Sequence, residues 1–176
     1  MAVPAELDPP VDPTRDHVRG ADGARVTVVE YGDFECPYCG GLYAALKQLE
    51  RRLGGGFRLV FRHFPLTQVH PHALAAAEAA EAAGEQGRFW EMHDRLFEHQ
   101  RQLEAADLLR HAEHVGLDVE RFASAIAHDR GRERVEVDVA SGRSSGVNGT
   151  PALYIDGVRY EGFYDVESLQ EAVERP

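Results

Sequence analysis

The stretch Val26-Thr27-Val28-Val29-Glu30-Tyr31, followed within a few residues by Cys36-Pro37-Tyr38-Cys39, constrains this chain more than any other feature. Alternating β-branched residues read as a strand, and Pro37 suits the first position of a helix. The only two cysteines therefore fall together at a strand-to-helix junction. Two thiols three positions apart at a helix mouth can close into a small, reversible disulfide. A bridge that short removes little loop-closure entropy, so it has small value as a structural staple. The pattern points to redox chemistry.

The strand is expected over 25–31 and the helix over Pro37–Leu53, its apolar face carrying Leu42, Ala45, Leu46 and Leu49 and its end marked by Gly54-Gly55-Gly56. A second alternating run, 57–64, stops at Pro65. A helical crossover between two strands implies a parallel pair with a right-handed connection. From 71 to 145 helix formers dominate, predicting helices over 71–83, 88–99, 105–115, 119–128 and 132–145. Strand signals return at 152–155 and 158–160 around Asp156-Gly157, a two-residue hairpin signature, and Asp165 is placed to cap a closing helix. C-x-x-C beside such a strand–helix pattern is the signal of a thioredoxin-like active site. The expected fold is α/β, a thioredoxin-like core over 18–66 and 146–176 split by an all-helical insertion over 67–145. Residues 1–17, with Pro4, Pro9, Pro10 and Pro13, read as an extended or disordered arm.

Charge removes several function classes. With 19 Lys+Arg against 30 Asp+Glu, net charge is −11, which argues against nucleic acid or an anionic membrane as main partner. No run approaches the roughly 18–20 apolar residues of a membrane span. The first ten residues have neither a basic nor an apolar segment, unlike a secretory leader. The chain as it stands reads as cytoplasmic, and as extracytoplasmic if a leader or anchor has been removed.

The segment Glu30-Tyr31-Gly32-Asp33-Phe34-Glu35-Cys36-Pro37-Tyr38-Cys39-Gly40 resembles the active-site region of DsbA-like disulfide oxidoreductases. So do Phe61-Arg62-His63-Phe64-Pro65-Leu66, His70-Pro71, Gly87-Arg88-Phe89-Trp90-Glu91-Met92-His93 and Gly146-Val147-Asn148-Gly149-Thr150-Pro151, in that order. The resemblance implies a thioredoxin fold and exchange of disulfides with protein substrates, with a separate, unknown recycling partner and no cofactor. It also implies a cis Pro151 facing the cysteines, with Thr150 pairing its backbone with substrate. From the residues alone an X–Pro bond is expected to be trans.

Cys36, at the helix N-terminus, is the expected nucleophile, and Cys39, one turn on, the resolving thiol. Glu30 alternates with Val26 and Val28 toward the interior. There a carboxyl has a raised pKa suited to proton transfer, and the resemblance puts such an acid beneath the inner cysteine. Pro37 and Tyr38 are expected to tune the pair. Tyr38 brings no positive charge and Asp33 and Glu35 bring negative charge, so the expectation is an oxidant weaker than DsbA, about −180 to −230 mV. Phe34, Tyr38, Phe64 and Tyr164 are candidates for an apolar substrate apron, the last two equally readable as core. Neither His70 with His72 nor His111 with His114 assembles four convergent ligands, so no metal is expected. The rivals are a glutaredoxin-like reductase, a non-enzymatic redox-gated binding or chaperone module, and a zinc-binding sensor.

Overall fold

A computed structural model describes residues 6–175; residues 1–5 of the expected arm lie outside the described residues, as does Pro176. Five strands form one mixed sheet: β1 (His17–Arg19), β2 (Val26–Gly32), β3 (Phe57–His63), β4 (Ala152–Ile155) and β5 (Val158–Tyr160), in the order β1-β3-β2-β4-β5. β2 and β3 are parallel, joined by the crossover helix α1 (Pro37–Leu53); the other pairings are antiparallel. Between β3 and β4 lie α2 (Ala73–Gly84), α3 (Phe89–Glu98), α4 (Ala105–Val115), α5 (Val119–Ala127) and α6 (Arg132–Ser144), and α7 (Val166–Glu174) closes the chain.

Strand alternation sorts side chains between the two faces of the sheet. On one face Val26, Val28 and Leu59 meet Leu42, Leu46 and Leu49 of α1 and Leu169 and Val173 of α7. On the other, Val29, Tyr31, Val60 and Tyr154 form a second core with Phe64, Val147 and Leu7. A third core joins sheet to insertion: Phe34 and Phe61 pack with Phe89, Met92, Leu96 and Phe97, and both cysteines border it.

The sequence pattern gives no expectation of β1. It is only three residues long, and neighbouring contacts create it. Asp16, just before it, holds the buried guanidinium of Arg62 on β3 through bonds of 3.0 and 2.9 Å, which brings His17–Arg19 alongside β3. Glu6 and Leu7 also pair, with Val158 and Gly157.

Candidate active site

α1 begins where an active site of this kind needs it. Cys36 is the N-cap residue in extended conformation, Pro37 sits at the first helical position, and the helix ends at Gly54 in the left-handed region (φ 54°). The first turn of any helix leaves backbone N–H groups unpaired. At this helix the sulfur of Cys36 stands in front of them. Its pKa is brought down to about 5, first by the Cys39 side chain, then by the N–H groups of Cys39 and Tyr38, against the opposing effect of burial. The Sγ also lies 3.6 Å from the Thr150 carbonyl oxygen.

Cys39 is the reverse case. It is fully buried, and burial pushes its thiol far up, with Cys36 and Glu30 adding to the shift. Both cysteines are unbridged and buried. Glu30 lies on β2, almost completely buried, and burial raises its carboxyl to about 8. Its Oε1 has no hydrogen-bond partner. The structure thus brings together Cys36, Cys39, Glu30 and the Thr150–Pro151 loop, whose peptide bond is cis, against the expectation from the X–Pro pair alone. Pro37 opens the helix, and Tyr38 stands 77% exposed beside the cysteines.

Two expectations require correction. Asp33 and Glu35 are not free negative charges facing the sulfur. Asp33 is buried and accepts from the N–H of Glu35 and of Leu66 and pairs with His70 Nδ1 at 2.8 Å. Glu35 accepts from the N–H of His72 and pairs with its Nδ1 at 2.8 Å. Burial pulls the His70 imidazole down, but its bond to Asp33 and the charges of Asp33, Cys36 and Glu35 outweigh burial and raise its pKa. Phe34 and Phe64 are core residues rather than apron, and among the described residues the most exposed large apolar side chains are Tyr38, Val69 and Phe163, the last 79% exposed. Nothing in the sequence marked Phe163. Its neighbour Tyr164 donates through its hydroxyl to the Pro151 carbonyl (3.4 Å), which ties that loop to the cis-proline.

A strand-first α/β sheet with a cysteine at the N-terminus of its crossover helix and a cis-proline loop beside it defines a thioredoxin fold. The family model described as Thioredoxin matches residues 13–175. The chain belongs to the thioredoxin family. It superposes on BdbD from Bacillus subtilis in its oxidised form with a TM-score of 0.85 at 23% identity, covering 98% of this chain and 96% of that one. A thioredoxin-like oxidoreductase from Silicibacter pomeroyi gives 0.81 at 32% identity, over 93% and 92% of the two chains. The thiol-disulfide exchange protein α-DsbA2 from Wolbachia pipientis gives 0.80 at 24%, over 93% and 87%. Among curated sequences, Na(+)/H(+) antiporter NhaA 1 of Salinispora arenicola is 54% identical over 168 residues, 96% of this chain but 26% of its own length. Na(+)/H(+) antiporter NhaA of Herminiimonas arsenicoxydans is 42% identical over 98% of this chain and 27% of its own length. The chain therefore spans about a quarter of the curated relatives it matches.

Proposed function

We propose that this chain is a thiol–disulfide oxidoreductase that exchanges disulfides with protein substrates through Cys36 and Cys39. One observation carries the proposal: an N-cap thiol brought down to about 5 stands over a buried thiol held protonated. That asymmetry makes Cys36, although itself largely buried, the better leaving group of the two.

In the oxidising direction a substrate thiolate attacks Sγ of Cys36, the Cys36–Cys39 bond breaks, and Cys39 leaves as a thiolate. Glu30, protonated below about 8, gives it a proton. A second substrate thiolate then attacks the substrate sulfur of the mixed disulfide and releases Cys36 as a stable thiolate. Two electrons have passed to the enzyme, and the substrate has gained one disulfide. The reverse sequence reduces or isomerises substrate disulfides. Thr150, with its carbonyl facing the sulfur, is assigned to the backbone of an extended substrate, and Tyr38 and Phe163 to its apolar side chains.

A thiol near 5 lies between DsbA, about 3.5 at −120 mV, and thioredoxin, about 7 at −270 mV, an intermediate position that supports an oxidant weaker than DsbA. We assign to His70 part of that position: its ring, held by Asp33 and raised in pKa, would when protonated bring the positive charge that Tyr38 lacks. The antiporter name of the curated relatives is not carried to this chain. Three quarters of each relative lies outside the match, and no helix among the described residues is long and apolar enough to cross a membrane.

Equilibration with glutathione redox buffers, together with the pH dependence of Cys36 alkylation, tests the reading. A potential of about −180 to −230 mV and a titration midpoint near 5 support it. A midpoint above about 8, the range of an ordinary cysteine, overturns it. Turnover of glutathione disulfide but not of insulin would establish the glutaredoxin-like alternative.

A further inference from the structure

Three side chains from three separate elements converge on one point outside the cysteine site. Glu81, on α2, places its Oε1 2.7 Å from Nε2 of His17, which opens β1, and 2.7 Å from Nε2 of His63, which ends β3. The three atoms all lie within 4.8 Å of one another. We propose that His17, His63 and Glu81 form a zinc(II) site that clips the edge strand and the first inserted helix to the sheet.

Two imidazoles and one carboxylate are a zinc donor set, with a fourth position left to water. Tetrahedral zinc with bonds of about 2.0–2.1 Å to nitrogen sets donor atoms about 3.3 Å apart. Contacts of 2.7 Å need to open by only about 0.6 Å to admit the ion.

The rings are already fixed in direction. His17 stacks on Phe89 with centroids 3.5 Å apart and planes 4° from parallel. His63 is buried, with Phe34, Phe61 and Phe89 edge-on at 5.9, 5.4 and 5.9 Å. Its backbone N–H donates to Asp138 at 3.0 Å. An apolar wall around a polar centre limits the access of water to it. His17 and Glu81 remain partly exposed, which leaves a way in.

Without metal, both Nε2 atoms carry protons toward one carboxylate oxygen, and the buried Nδ1 of His63 has no partner. When Nε2 gives its lone pair to zinc, a neutral ring moves its proton to Nδ1, and a cationic ring releases one proton to solvent. The ligands are 64 and 18 residues from Glu81 along the chain, so no sequence spacing announces the set.

The test uses the protein with Cys36 and Cys39 closed as a disulfide, so that sulfur cannot ligate. Cobalt(II) is titrated first as a coloured probe, then displaced by zinc(II). Saturation at one equivalent with visible ligand-field bands is expected. His17→Gln should weaken binding by more than about 100-fold, beyond what loss of an outer-shell partner causes, whereas His114→Gln on the surface should leave it unchanged. In the unmutated protein, zinc must shift the imidazole NMR signals of His17 and His63, a readout independent of how the variant folds. Absence of saturable one-to-one binding, wild-type affinity in His17→Gln, or shifts confined to other histidines would each overturn the site.

Discussion

Glu30 and Arg62 sit on neighbouring strands of one sheet, both out of water, and differ in whether anything meets their charge. Arg62 on β3 bonds Asp16 twice, the Tyr31 hydroxyl at 2.9 Å, and the carbonyls of Pro9 and Pro10 at 3.0 and 3.2 Å. Glu30 on β2 faces the opposite way and keeps a carboxylate oxygen with no partner. A buried charge that is fully paired holds structure together. One left unpaired gives up its charge, shifts its pKa, and becomes available to move protons. The paired group ties the N-terminal segment to the sheet, and the unpaired one lies with the cysteines.

Mutations should separate the two behaviours. The largest effect belongs to the unpaired site: Cys36→Ser should lower insulin reduction and oxidative refolding by about 10³-fold or more, and Cys39→Ala should accumulate mixed disulfide, visible on non-reducing gels. Wild-type rates in Cys36→Ser would remove the proposed chemistry. On the paired side, Arg62→Met removes both guanidinium bonds to buried Asp16, leaving it the Asp12 N–H at 2.9 Å and, as cations, only Arg15 and Arg134 at 3.5 Å. The change should cost about 3 kcal/mol in urea denaturation without moving the Cys36 titration. Adding Asp16→Ala should restore part of that loss, because no buried charge then lacks its partner. A double variant as unstable as the sum of the single changes would break the comparison.

Glu30→Gln should act oppositely on stability and rate. Resolution of the mixed disulfide should slow by about 10²-fold in stopped-flow fluorescence. The stability sign follows from the raised carboxyl. The folded state keeps a proton that the unfolded chain loses above about 4.5, so wild-type stability falls as pH climbs from about 4.5 to 8. Glu30→Gln should abolish that fall. The Cys36 thiolate works the other way and only in the reduced protein. Its stabilisation is complete above about 9, and it is lost as pH falls through about 5. Denaturation of reduced and oxidised protein across pH 4–9 separates the two slopes. The smallest effect is at the rim. His70→Asn should raise the Cys36 titration midpoint by about one unit and make the pair about 30 mV more reducing, with His72→Asn changing less. An unmoved midpoint would return His70 to a purely structural role.

Most regular elements were legible because their signals are local. Helix α1 runs over the expected Pro37–Leu53, bounded by a proline and a glycine that dictate those ends, and the 152–155 and 158–160 strands flank the Asp156-Gly157 turn as read. The edge strand β1 was not legible. Three residues carry no periodicity, and β1 exists because Arg62, far along the chain, needs Asp16. The site divided in the same way. Cys36, Cys39 and Glu30 could be chosen from spacing and alternation. His70 and His72 could not be assigned to Asp33 and Glu35, because a loop fold brings the pairs together. Asp33 and Glu35 were read from sequence as charges opposing the thiolate, a reading that fails once their partners are seen. Phe163 carried no signal, since exposure of an aromatic depends on what fails to cover it.

The sequence by itself determined the order of strands and helices and the place of both sulfurs at a helix mouth, since turns, caps and alternation act over a few residues. Only the tertiary structure decided which charges are met. That choice leaves Glu30 alone in the interior, gives Asp33 a histidine, and draws His17 and His63 to one carboxylate. Electrostatic energy depends on distance through space and on the water excluded between groups, and neither quantity is written along the chain.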